Sequence, residues 1–266
     1  MNRSRSKNCP RCQKQIDVPI ADLHWSSEQV ENDYTSRLEK LFEIVTCDEC
    51  VAELDADRKK GDVYRRQRAA RAESYANNWL QADIEHHTFA ASRRDYEQRS
   101  SDIENAFEWG KNWTPRAEKN SAFIQGTKGA GKSYFCHCVL NTALTLGLTA
   151  REINAITIQD LAMDFEKRRT AQWQLGQVKR VGCLLIEEMG LVSWTELGVI
   201  ALREIIDYRY RHHMPTLITS NLSKQEQRDA WDRKCNNKSI VPAMVDRMTN
   251  FIGLVFEGDS LRRLSA

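Results

Sequence analysis

Three glycines, two lysines and a serine are compressed into Gly126-Thr127-Lys128-Gly129-Ala130-Gly131-Lys132-Ser133. Glycine tolerates the backbone conformations that turn successive N–H groups inward, and such a nest holds phosphate oxygens. A helix starting at that point adds partial positive charge. Lys132 is spaced to reach β and γ phosphates as a mobile cation, and Ser133 to offer a hydroxyl to Mg²⁺. Downstream, Cys183-Leu184-Leu185-Ile186 reads as a buried strand that delivers two carboxylates, Glu187 and Glu188, at its end. In open α/β sheets ligands sit at that edge. Glu187 is suited to support Mg²⁺ and its water shell, and Glu188 to orient and polarise an attacking water. A third signal is Pro215–Asn221, which reads as a strand ending in a polar amide. Asn221 either holds that water or senses the γ-phosphate, or it closes an ordinary turn. Together these residues imply ATP and Mg²⁺, with phosphoryl transfer to water.

The cysteines point to a second chemistry. Cys9-Pro10-Arg11-Cys12 and Cys47-Asp48-Glu49-Cys50 are two Cys-x-x-Cys pairs. Four thiolates in two such pairs suit a closed tetrahedral Zn²⁺ site of structural type. The spacing between the pairs exceeds the usual 15–20 residues, and unliganded cysteines are the alternative. Ser26 and Gln29 form a capping box, after which Val30, Tyr34, Leu38, Leu41, Phe42 and Val45 recur at helical spacing. Cys136, Cys138, Cys183 and Cys235 are scattered and read better as core residues than as ligands.

Something must hold these groups in place. From Ser121 onward short apolar runs alternate with helical patterns. Strands are expected over Ser121–Gln125, Arg151–Ile156, Gly182–Ile186, Thr216–Ser220 and Phe251–Phe256. Helices are expected over Gly131–Leu146, Ile158–Arg168, Thr195–Tyr210 and Val241–Met248. That alternation predicts an α/β fold, a mostly parallel sheet with helices on both faces. Residues 1–53 read as a small zinc-binding helical domain, 54–116 as a charged helical linker, and 117–266 as the nucleotide-binding domain. Within the linker Arg65, Arg66, Arg68 and Arg71 cluster on a helix. They are a candidate DNA or partner surface, or else a solvated helix face. Trp79, Trp109 and Trp113 suit stacking on single-stranded DNA, or core or hinge positions. Net charge is only +2 in 266 residues, so any nucleic-acid contact must be local. No apolar run is long enough to span a bilayer, and Asn8-Cys9-Pro10 stands where a signal peptide would be apolar. The expected location is the cytoplasm, with reduced thiols.

From about Ala122 the chain resembles the DnaC/IstB group of AAA+ P-loop ATPases, the helicase loaders and the transposition helpers related to them. The resemblance rests on Gly126–Ser133, Leu184–Gly190, Ile205-Ile206-Asp207-Tyr208-Arg209-Tyr210, Pro215–Ser223, Val245-Asp246-Arg247-Met248 and Gly258-Asp259-Ser260-Leu261-Arg262, in the family's order. It covers a little over half the chain. It implies that Arg247 is an arginine finger reaching ATP on the next subunit, and that Arg262 is a sensor 2 arginine. It implies an oligomer that binds single-stranded DNA and delivers a hexameric replicative helicase, gripped by the N-terminal region. The transposition relatives imply assembly on duplex DNA instead. Two positions depart from the family: Glu187 stands where Asp is usual, and Ala243 where some members carry arginine. The extra methylene of Glu187 leaves room for a third reading, a zinc-containing adaptor that uses ATP as a switch and barely hydrolyses it. About ten residues follow the last expected strand, too few for the helical lid of other AAA+ proteins, and the family lacks that lid.

Overall fold

The computed structural model describes residues 3–8, 15–20, 48–80, 84–90 and 101–258. Cys9, Cys12, Cys47, the expected helix after Ser26 and Arg262 lie outside them, and of Cys50 only the backbone is described. The chain divides into two compact units, Met1–Tyr64 and Arg65–Ala266.

The first unit contains a strand pair that the sequence reading did not anticipate. β1 (Arg3–Asn8) and β2 (Gln15–Ile20) run antiparallel, with Arg3 opposite Ile20 and Asn8 opposite Gln15. Ile16, Val18 and Ile20 favour extended backbone. The connection between these strands is the segment that carries Cys9 and Cys12. A long helix, α1 (Asp48–Ala76), begins just after Cys47 and runs on into the second unit.

In the second unit, α2 (Ser101–Lys111) precedes a five-stranded sheet. Its strands are β3 (Ala122–Gly126), β4 (Ala150–Asn154), β5 (Cys183–Glu187), β6 (Thr216–Ser220) and β7 (Ile252–Phe256). All neighbouring strands pair in parallel, in the order β4-β5-β6-β3-β7. The helices between them are α3 (Lys132–Thr145), α4 (Ala155–Met163), α5 (Arg168–Arg180), α6 (Glu196–Arg211), α7 (Lys224–Asp232) and α8 (Ile240–Arg247). Side chains of a strand alternate between faces, so β3, β4, β5 and β6 each feed two cores, while β7 gives Ile252, Leu254 and Phe256 to one of them. Leu184, Ile186 and Ile218 pack with Ile158, Val178, Leu202, Ile205 and Met244 on one face. Leu185, Leu217 and Leu254 pack with Phe135, Val139 and Leu140 on the other. Cys136, Cys138, Cys183 and Cys235 are buried, and burial pushes the Cys183 thiol up to about 12 despite the nearby Arg209.

Residues between Arg65 and Arg116 are part of this packing. Trp79 joins one core, and Ile84, Ile103, Ala106, Phe107 and Trp113 join the other. Ser74 Oγ accepts from Ala150 N at 3.0 Å and the Trp79 carbonyl from Glu152 N at 2.7 Å. The last turn of α1 and the chain just after it therefore cover the open edge of β4, which would otherwise offer unpaired N–H groups. Gln67 donates to the Thr145 carbonyl at 2.6 Å, and Arg71 to Asn141 and Thr145. These contacts complete the last turn of α3, where carbonyls lack partners and cations are favourable. Arg65, Arg66 and Arg68 are exposed.

Expected strands match observed ones to within about two residues. Two helices were missed. α5 is strongly polar, and its buried residues are only Ala171 and Val178. α7 buries Gln227 and Trp231 but opens with a full capping box between Ser223 and Glu226.

At the N-terminal end of the sheet sits Arg209, 1% exposed and with no carboxylate beside it in its hydrogen bonds. Its guanidinium donates to Val181 O (2.7 Å), Lys179 O (3.2 Å), Val178 O (3.4 Å), Pro215 O (2.5 Å) and Thr216 Oγ1 (2.8 Å). One side chain thus closes the C-terminus of α5 and ties the entries to β5 and β6.

Candidate nucleotide site

β3 ends and α3 begins across the loop 127–131, at the C-terminal edge of the sheet. Gly126 has φ 145°, and a Cβ there would lie 1.9 Å from the Phe256 carbonyl oxygen. No side chain fits that approach of β7. Thr127 N donates to the same carbonyl at 3.1 Å, so β7 fixes the start of the loop. Gly131, at φ 94°, is the left-handed residue from which α3 starts, leaving the first N–H groups of that helix to face a ligand. Lys132 Nζ lies over the loop and donates to the carbonyls of Gly126 (2.8 Å) and Thr127 (2.7 Å). Burial lowers its pKa, and nearby Cys136 and Glu187 oppose that shift.

β5 carries Glu187 to the same place. Its Oε1 is buried and meets no hydrogen-bond partner among the described residues. Burial raises the Glu187 pKa, a hydrogen bond from Ser133 opposes, and the neighbouring Glu152 raises it further. A serine hydroxyl beside an unsatisfied carboxylate oxygen is a hard-oxygen set of the kind Mg²⁺ takes, so Ser133 and Glu187 fit the ion that the motif implies. Glu152 reaches Glu187 from β4 and also contacts His137 Nε2 at 3.1 Å, both of these residues being buried.

Glu188 is exposed and holds φ 57°, ψ 37°. Such a conformation is uncommon outside glycine and costs of order 1–3 kcal/mol. Two contacts fix it: its N–H donates to Thr219 Oγ1 at 3.1 Å, and Asn154 Nδ2 donates to its Oε2 at 2.8 Å. Asn154 was missed from sequence, because the expected strand Arg151–Ile156 hid its place at a strand end. Asn221 follows β6, and Gly190 is tight against it: a Cβ there would meet Asn221 Oδ1 at 2.1 Å. Gly126–Ser133, Glu187, Glu188 and Asn221 are thus brought to one edge of one sheet. Arg247 lies at the end of α8, where its Nε donates to Asp207 Oδ1 (3.1 Å) and its Nη1 to Asp246 Oδ2 (2.9 Å). Burial pushes Asp207 up, but hydrogen bonds from Arg247 and Arg211 outweigh it and hold the carboxyl below its ordinary 3.8.

Residues 50–265 match the model of the IstB-like ATP binding protein family. The chain belongs to that family. Its five-stranded parallel sheet with flanking helices is the α/β fold of AAA+ proteins. It is 25% identical over 146 residues to the replicative helicase loader DnaC of Escherichia coli K12, an alignment covering 53% of this chain and 56% of that protein. The chain thus spans about half the length of the curated relatives it matches. Among solved structures it is similar to DnaI, with a TM-score of 0.55 at 15% identity over 65% of this chain and 92% of that one. A DNA replication initiation factor superposes with a TM-score of 0.51 at 17% identity, over 68% and 52% respectively. At such identities the likeness is one of fold. Among the described residues, no helix is long and apolar enough to cross a membrane.

Proposed function

We propose that this member of the IstB-like family is an ATP-hydrolysing helicase loader. Its similarity to DnaC carries the loader reading, and the unsatisfied Glu187 oxygen beside Ser133 carries the hydrolytic one. The backbone of Gly126, Thr127, Lys128, Gly129, Ala130 and Gly131 cradles the phosphates, and Lys132 leaves its loop carbonyls to reach them. Ser133 and Glu187 hold Mg²⁺, which neutralises phosphate charge when bound. Glu188, held by Asn154, orients the attacking water, and Asn221 completes the γ-phosphate edge. Arg247 acts on the neighbouring subunit's ATP, so turnover requires assembly, and Arg262 contributes as sensor 2. Glu187 in place of the usual Asp still presents its carboxylate to Ser133, which favours hydrolysis over a pure switch.

The division of labour follows the expected domains. Residues 1–53, with Zn²⁺ on Cys9, Cys12, Cys47 and Cys50, grip the hexameric replicative helicase in the cytoplasm. Residues 54–116 connect this module to the ATPase, 117–266, which binds single-stranded DNA as an oligomer. The test is capture of the hexameric helicase from the same source by the full chain with ATP. Capture is expected, is lost in the Cys9→Ser/Cys12→Ser protein, and persists in Lys132→Ala while loading onto single-stranded DNA fails. Absence of capture by the unaltered chain refutes the loader. The family match favours one second reading, a transposition helper. Filament growth on duplex DNA, with no helicase capture, is its signature.

A further inference from the structure

On the face of the sheet opposite the P-loop helix lies a cavity of about 300 Å³, lined by Phe123, Lys224, Trp231, Val245, Met248 and Thr249. Its walls are aromatic and aliphatic, and its volume is at the lower end of the range for small-molecule sites. The polar groups on the lining are unbalanced. Trp231 is 1% exposed, and its Nε1–H meets no acceptor among the described residues. A buried donor left unmatched costs about 1–3 kcal/mol, and tryptophan N–H groups are ordinarily matched when buried. Lys224 brings an ammonium that donates to the Phe251 carbonyl at 3.1 Å and lies 5.9 Å from the centre of the Phe123 ring. Burial lowers the pKa of that ammonium. Thr249 spends its hydroxyl proton on Asp246 O at 2.6 Å. Among the described residues no carboxylate belongs to the lining, so those residues give the cavity donors and a cation but no anion.

We propose that this cavity is a binding site for a small apolar carboxylate, its hydrocarbon body against Phe123, Val245 and Met248 and its oxygens on Trp231 Nε1 and Lys224 Nζ. The site is separate from the nucleotide loop and independent of the loader reading. Val245 and Met248 flank Arg247 in sequence, at the end of α8 and just beyond it, so an occupant would bear on the segment that carries the candidate finger.

The test titrates the full chain, with ¹⁵N-labelled tryptophan, against 4-phenylbutanoate and against 4-phenylbutan-1-ol. The Trp231 indole resonance is expected to shift saturably with the acid, at an affinity about tenfold or more above that of the alcohol. Trp231→Phe keeps a ring but removes the donor, and Lys224→Met removes the cation. Each is expected to weaken the acid about tenfold. Met248→Trp fills the cavity and is expected to abolish binding. The proposal is overturned if no saturable shift occurs by about 10 mM, if acid and alcohol bind alike, or if Trp231→Phe binds the acid undiminished. A bridging water alone on Trp231 Nε1 in a crystal soaked with the acid overturns it equally. The comparison of acid with alcohol on the unaltered chain stands even if a variant fails to fold.

Discussion

The two ends of the central sheet are built on opposite principles. At the N-terminal end polar groups are matched. Arg209 meets four carbonyls and a hydroxyl, Asn120 Nδ2 donates to Pro115 O at 2.8 Å, and Ser121 Oγ accepts from Thr216 N at 3.0 Å. At the C-terminal end the matching is incomplete. Glu187 Oε1 has no partner among the described residues, Glu188 sits at φ 57°, and Lys132 leans on its own loop carbonyls. Buried polar groups that are satisfied hold a fold together. Unsatisfied and strained ones persist where a ligand or a reaction supplies what is missing. The same five strands therefore have an end for stability and an end for chemistry.

That contrast can be broken by substitution. The largest effect on turnover is expected from Arg247→Ala, a loss of about 10³-fold or more if the guanidinium acts in trans. Mixing this variant with an excess of Lys132→Ala subunits should restore part of the rate, as measured by phosphate release; additive, unmixed behaviour would contradict the trans assignment. Arg209→Met is expected to destabilise by about 3 kcal/mol or more, because it leaves several buried carbonyls without a donor. Denaturant unfolding reads this directly, and a loss below about 1 kcal/mol would mean that the N-terminal end is not held as described. Glu188→Gly should show the reverse pattern. It relieves the positive φ and is expected to raise stability by about 1 kcal/mol, while turnover falls about 10²–10⁴-fold.

The smallest effect concerns acid stability. The Asp207 carboxyl is held below its ordinary 3.8 because Arg247 and Arg211 outweigh burial. A depressed carboxyl stabilises the fold above its unfolded pKa and loses that contribution as pH falls through the folded value. Asp207→Asn should therefore flatten the acid limb of stability between about pH 4 and pH 2, by no more than about 1 kcal/mol for so exposed a pair. An unchanged acid limb would show that the ion pair contributes nothing.

Sequence made the chemical end more legible than the structural one. The loop Gly126–Ser133 and the acidic ending of β5 use residue types whose spacing has one economical explanation. Strand positions followed from apolar runs bounded by polar residues. Arg209, by contrast, is one arginine among several in Tyr208-Arg209-Tyr210-Arg211, and only the packing of α5, β5 and β6 around it reveals a buried staple. α5 was illegible because it buries a narrow stripe, Ala171 and Val178 with Leu175 partly covered. α7 was legible in principle from Ser223 and Glu226, three residues apart. Asn154 escaped because its role depends on where β4 stops, and strand ends are the least certain part of a sequence reading. The covering of the β4 edge by residues 74–79 is a tertiary fact with no local signature.

The most direct measurement is calorimetric titration of Mg²⁺-ATP into the full chain, into Lys132→Ala and into Glu188→Gly, with phosphate release followed on the same samples. Binding to the unaltered chain and to Glu188→Gly, strongly weakened binding to Lys132→Ala, and release from the unaltered chain alone are the predicted result. Equal binding by Lys132→Ala, or undiminished release from Glu188→Gly, would contradict the assignment of the C-terminal sheet end as the seat of ATP chemistry.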